Sequence, residues 1–283
     1  MSAIKTSAEV IQVVCNIGSY KPKTALVPAF ILAFLAGAYI AFGGLLAIKV
    51  AGNIPVEYWG NLTRLVFAMV FPVGLLLVLL AGADLFTGNC MYLPAALKHK
   101  TATFGGLARS WSISYLGNFV GSILVVFFLG HLTGLLLDGS AEAGRPLADY
   151  AVKLANLKCG LSWDVSFFRG IGCNWLVCLA IYMSLAAGDG VSKAVLLWPP
   201  IAAFVAIGFE HSVANMTFIP MGILIGQSEI YQATAGAVPL TASWAGLVNN
   251  LVPVTLGNIV GGAVFVALFY YRANNLKPEG KPE

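Results

Sequence analysis

Hydrophobic positions in this chain gather into six blocks, over residues 26–50, 65–97, 111–137, 167–187, 194–227 and 247–271, with short polar stretches between them. Four blocks have the length at which about 20 apolar residues cross ~30 Å of hydrocarbon as one helix. The second and fifth are about a third too long for a straight crossing at 1.5 Å per residue. Each carries a polar interruption near its middle, Asp84-Leu85-Phe86-Thr87-Gly88-Asn89 in one and Glu210-His211-Ser212-Val213-Ala214-Asn215 in the other. Each reads as two half-helices joined by non-helical backbone at membrane depth. Such backbone is tolerated only where protein buries it or where it lines a wet cavity. Two broken helices at corresponding places in two halves mark a substrate pathway.

The halves do correspond. Aligning Gly82 with Gly208 matches Asp84 to Glu210 and Asn89 to Asn215, and the run Leu116 to Gly121 matches Leu256 to Gly261. Each half holds three spans, so the two copies run oppositely through the bilayer. The expected fold is an all-α integral membrane protein with six transmembrane helices, an inverted three-helix repeat and two broken helices. Residues 1–25 form an N-terminal segment, 26–271 the six-helix channel domain and 272–283 a tail. Ala8 to Ile17 reads either as a short amphipathic helix on the membrane face, with Ser7 as its N-cap, or as a loosely ordered arm.

Composition supports this assignment: 59% of the 283 residues are hydrophobic and 10% charged, against roughly 25% charged in a soluble domain. That balance excludes a soluble enzyme, a nucleic-acid binder and a disordered chain. Ten of the 16 lysines and arginines fall on the side that holds both termini, which places the termini in the cytoplasm and the protein in the cell membrane. No secretory leader is visible. The five cysteines have no C-x-x-C spacing and the three histidines lie far apart, so no metal site, cofactor or disulfide framework is expected.

Ionisable groups at membrane depth are the features with the strongest claim to function: Asp84, Glu210 and His211. Asp84 and Glu210 either accept bonds from backbone N–H groups freed at the breaks or contact a permeant. His211 has Leu85 as its counterpart. That asymmetry favours a pore-facing, proton-handling role over a core role, since histidine titrates near neutral pH. Thr87 and Asn89 in the first break and Asn215 in the second, with the half-helix N-termini, make a weak anion-attracting field. Asn89 and Asn215 also stand where N-caps of the second half-helices are expected. Asn174 and Asn258 lie inside spans, where they bond to the broken backbones or line the pore.

Three stretches together resemble the formate–nitrite transporter family: Gly82-Ala-Asp-Leu-Phe-Thr-Gly-Asn89, Gly208-Phe-Glu-His-Ser-Val-Ala-Asn-Met216 and Pro253-Val-Thr-Leu-Gly-Asn-Ile-Val-Gly-Gly262. Arg169 to Cys178 is similar to that family as well. The resemblance implies an aquaporin-like fold, a homopentamer with one pore per protomer, and a small monovalent anion as permeant: formate first, then hydrosulfide or nitrite. It also implies that Thr87 and His211 face each other at the pore centre and that Lys158 attracts anions at the outer entrance. Phe71, Leu75, Leu85, Phe86, Val177 and Phe204 are the matching apolar constrictions. An enzyme lacks any nucleophile or metal set here, and a transport-free structural protein has no use for two broken helices.

Overall fold

A computed structural model describes residues 4–137 and 145–279. Residues 1–3 of the N-terminal segment, residues 138–144, and 280–283 of the tail, with Lys281, lie outside the described residues. The fold is carried by α1 (Ser7–Tyr20), α2 (Leu26–Ala51), α3 (Leu62–Leu80), α4 (Phe86–Lys98) and α5 (Phe104–His131), followed by α6 (Arg145–Cys159), α7 (Trp163–Ala186), α8 (Gly190–Ile207), α9 (Ser212–Gly226) and α10 (Trp244–Ala273). Six of these, α2, α3, α5, α7, α8 and α10, are long and apolar enough to cross a membrane. The half-helices α4 and α9 continue the crossings that α3 and α8 begin.

The two breaks fall a few residues earlier than the polar runs suggested. Backbone helicity stops at Gly82 (φ +76°) and Gly208 (φ +89°), left-handed positions that glycine takes without a Cβ penalty. It resumes at Phe86 and Ser212. Thr87, Gly88 and Asn89 therefore belong to the first turns of α4, and Asn215 to α9. Neither asparagine is an N-cap. Leu85 occupies that position in α4 and caps nothing with its side chain, whereas His211 caps α9.

The N-terminal helix is also better anchored than expected. It starts from Thr6, not Ser7, through a reciprocal capping box with Glu9. Val10, Ile11, Val14 and Cys15 are fully covered, and the helix packs on α4 and α7. Its counterpart in the second half is α6, which buries Ala148, Ala151, Val152 and Ala155 and packs on α9. The repeat unit is thus a surface helix followed by three crossings.

Close backbone approach ties each half together. A Cβ added at Gly121 would lie 1.9 Å from the Phe34 carbonyl oxygen, and one at Gly257 would lie 2.1 Å from that of Phe167. The α2–α5 and α7–α10 pairs accordingly touch with no side chain between them. Both α5 and α10 relax into π-helical turns beyond this contact, over Val125–His131 and Gly261–Leu268.

Candidate functional site

Each break frees backbone groups that water cannot reach, and one buried asparagine per half satisfies them. Asn118 Oδ1 accepts from Phe86 N–H (2.8 Å), while its Nδ2 donates to Ala33 O (2.7 Å) and Asp84 O (3.0 Å). Asn258 repeats the pattern: Oδ1 accepts from Ser212 N–H (2.9 Å), and Nδ2 donates to Gly170 O (2.8 Å) and Glu210 O (2.9 Å). Asp84 N–H and Glu210 N–H go to Leu32 O and Arg169 O. The break carboxylates therefore do not serve the freed backbone. They meet cations instead.

Glu210 takes Lys158 Nζ at 3.0 Å on both oxygens, plus Asn215 Nδ2 at 2.6 Å on Oε2. Asp84 pairs with Lys21 and accepts from Asn89 Nδ2 at 2.9 Å. The two ammonium groups also sit over rings at matching places, Lys21 5.3 Å from the centroid of Tyr92 and Lys158 5.6 Å from that of Phe218. Lys158 lines the cavity that opens opposite the termini, but as a paired charge and not a free one. It lies in the last turn of α6 on that helix's inward face, 9% exposed, and its charge is compensated. Lys21, which sequence reasoning passed over, is its equivalent at the end of α1. Asn118 was passed over as a site residue too, although it sits in the same Gly-Asn pair as Asn258.

At the meeting of α4 and α9, Thr87 Oγ1 and His211 Nε2 are 2.9 Å apart, and both residues are buried. The imidazole Nδ1 accepts from Ala214 N–H at 2.9 Å, so in the neutral ring the proton sits on Nε2 and points to the Thr87 hydroxyl. Thr87 in turn keeps its own O–H available. Asn174 is committed elsewhere: its Nδ2 donates to Thr87 O (3.1 Å) and Asn258 O (2.7 Å).

Apolar side chains surround the pair. Phe71, Leu75, Leu85, Phe86, Val177 and Phe204 are all buried. Phe204 lies 6.0 Å from the His211 ring and 6.0 Å, edge-on, from Phe71. Phe86 packs on Trp111 and Tyr115. A cavity of ≈ 1090 Å³ opens from the face opposite the termini and reaches Phe71, Phe204 and His211. Arg64, Lys153 and Arg169 line it and form no ion pair among the described residues, whereas Arg145 is 3.4 Å from Asp149. Among the described residues no group of histidine, cysteine and carboxylate side chains is placed to hold a metal ion.

Comparison with known proteins agrees with this geometry. Residues 8–272 match the model of the family described as formate/nitrite transporter. A probable formate transporter of Methanothermobacter thermautotrophicus is 45% identical over 95% of this chain and 97% of its own length. Among solved structures, an FNT family ion channel superposes with a TM-score of 0.80 at 30% identity, over 94% of this chain and 98% of the other. A pentameric formate channel with formate bound gives a TM-score of 0.75 at 32% identity, over 89% of this chain and 98% of the other. The chain is a multi-pass membrane transport protein, not an enzyme, and it belongs to the formate/nitrite transporter family.

Proposed function

We propose that the protein conducts formate, with hydrosulfide or nitrite as the alternative small weak-acid anion, through one pore in each subunit of a homopentamer, with both termini in the cytoplasm. The observation that carries this reading is the buried Thr87–His211 pair, whose histidine lines the end of the cavity beside Phe71 and Phe204. The names of the relatives just described support the choice of formate.

The physical problem is a charge in dry slits. Moving a carboxylate-sized ion into low dielectric costs on the order of 20 kcal/mol in the idealised Born limit. Protonating a carboxylate of pKa ~4 at pH 7 costs only ~4 kcal/mol. The permeant therefore gathers as an anion near Arg64, Lys153 and Arg169, binds to the Thr87 hydroxyl, and crosses the apolar constrictions of Phe71, Leu75, Leu85, Phe86, Val177 and Phe204 as the neutral acid. The Nε2–H of His211 polarises Thr87 from behind. Proton transfer at this ring is tied to α9, because charging it requires Nδ1 to release Ala214 N–H.

Uptake of formate, hydrosulfide and nitrite into proteoliposomes, measured at one pH with and without a proton gradient, tests the reading. Formate uptake that rises with an inward proton gradient is expected. Absence of formate flux beside robust hydrosulfide flux would reverse the order of substrates, and His211→Asn retaining the wild-type pH dependence would remove the histidine from proton handling.

A further inference from the structure

The two halves match closely enough for their differences to be informative. Equivalent contacts pair Ala33 with Gly170, Phe34 with Ile171 and Ala38 with Trp175, so Gly37 pairs with Asn174 and Ala41 with Cys178. The Gly121–Gly261 match likewise pairs Ser122 with Gly262. In the first half, Ser122 Oγ donates to Gly37 O at 3.1 Å and fills the space between α2 and α5. In the second, Gly262 leaves that space open, and Asn174 and Cys178 occupy it. A Cβ at Gly262 would fall 2.8 Å from Asn174 Nδ2 and 2.9 Å from Cys178 Sγ.

Both side chains converge on one atom. Asn174 Nδ2 lies 3.1 Å and Cys178 Sγ 3.3 Å from Thr87 O; the thiol's other acceptor, Asn174 Oδ1, is farther at 3.6 Å. Thr87 is the second residue of α4, in a first turn whose N-cap, Leu85, offers no side-chain bond. Helix ends fray, and Asn118, which holds Phe86 N–H in this turn, makes no bond to Thr87. Asn174 also bonds to Asn258 O, and Asn258 holds Ser212 N–H and Glu210 O on either side of His211. A continuous path of hydrogen bonds thus runs from the backbone of Thr87 to the backbone flanking His211.

We infer that Cys178, in the space left by Gly262, is a positioning residue: with Asn174 it clamps the carbonyl of Thr87 and so sets the Thr87 hydroxyl at hydrogen-bond distance from His211. This rests on the reading of Thr87 and His211 as the central pair. The buried thiol reaches Thr87 only at its backbone carbonyl, and its weak S–H bond is suited to trimming an orientation rather than creating it.

Formate uptake into proteoliposomes between pH 5 and 8 tests the clamp in the assembled protein. Cys178→Ala should lower uptake at limiting formate roughly two- to five-fold, the range of a weak net hydrogen bond. It should also shift the pH of half-maximal uptake by about 0.3–0.7 unit, the same factor on a logarithmic scale. Cys178→Ser, which restores a donor, should return both values towards wild type. Gly262→Ser displaces both donors and should lower uptake about ten-fold or more; if it fails to assemble, the two Cys178 variants decide. Thr87→Val is run in parallel. If Thr87→Val alters flux and pH profile while Cys178→Ala matches wild type in both, the clamp is refuted and the central pair stands. If Thr87→Val is itself indistinguishable from wild type, the central pair falls and the clamp with it.

Discussion

Replacing Lys158 with alanine discriminates between a lysine that lures anions from outside and one that neutralises a buried carboxylate. The structure favours the second: Nζ is 3.0 Å from both oxygens of Glu210, and the residues are 9% and 4% exposed. Removing one member of a buried ion pair leaves an uncompensated charge and costs about 3–5 kcal/mol, a factor of roughly 10² to 5 × 10³ in the folded population. Lys158→Ala should therefore lower the detergent melting temperature and reduce flux at every formate concentration. Lys158→Met with Glu210→Gln removes both charges, keeps the volume and leaves an acceptor for Asn215 Nδ2, so it should recover most of the stability. The pair's net charge is zero, so the double variant should also keep the wild-type dependence on salt. Melting curves in mild detergent and liposome flux at 10-fold different ionic strengths measure both. A Lys158→Ala protein as stable as wild type, losing flux only at low formate and low salt, would refute the reasoning and return the lysine to the role of a surface attractor.

Asn118→Ala and Asn258→Ala each strand one buried N–H and two buried carbonyls, at about 1–3 kcal/mol per group, and should abolish stable assembly to a similar degree, seen by size-exclusion chromatography in detergent. Gly121→Ala and Gly257→Ala drive a methyl into backbone oxygens at 1.9 and 2.1 Å and should fail in the same assay. Gly82→Ala meets nothing within 4 Å and loses only the left-handed conformation, about 1–2 kcal/mol, so it should assemble with a lowered melting temperature. The Glu9 carboxylate is held below its ordinary range by the backbone N–H and the hydroxyl of Thr6. A depressed folded-state pKa contributes stability above the unfolded value and loses it as pH falls through the folded one. Amide exchange in α1, corrected for intrinsic rate, should accelerate below pH ~4 in wild type and be flat in pH for Glu9→Gln.

What sequence reasoning reached and missed follows from the range of each signal. Apolar length is local, so the six crossings were legible. The end of a half-helix is set by one dihedral angle, and Gly82 and Gly208 marked it better than the polar residues that follow; reading those residues as the break placed Asn89 and Asn215 at caps they do not form. The surface helix α6 was missed because polar residues on its outer face, among them Asp149, Lys153 and Asn156, offset a buried face of Leu147, Ala148, Ala151, Val152 and Ala155, so no apolar block forms. Its phase was nonetheless present: Ala151, Ala155 and Lys158 follow at helical spacing, and that spacing turns the lysine inward. Lys21 and Asp84 come together across 63 positions of chain, a distance over which only the repeat itself carries information.

The repeat also separates scaffold from chemistry. Lys21 with Asp84 and Lys158 with Glu210, Asn118 and Asn258, Tyr92 and Phe218, and Gly121 and Gly261 occur in both halves in the same geometry, although the two copies face opposite sides of the membrane. A group needed twice in opposite orientations serves what is common to both halves, which is the closure of a broken helix in a dry environment. Thr87 against Val213, His211 against Leu85, Asn174 against Gly37, Cys178 against Ala41 and Gly262 against Ser122 break the symmetry, and the structure brings these five odd members together around one hydroxyl and one imidazole. Folding alone would be satisfied by the symmetric choice at each of them. A buried threonine, histidine, asparagine and cysteine that break the repeat and meet at one place call for a cause outside folding, and the passage of a weak acid past the Thr87–His211 pair proposed above would supply one.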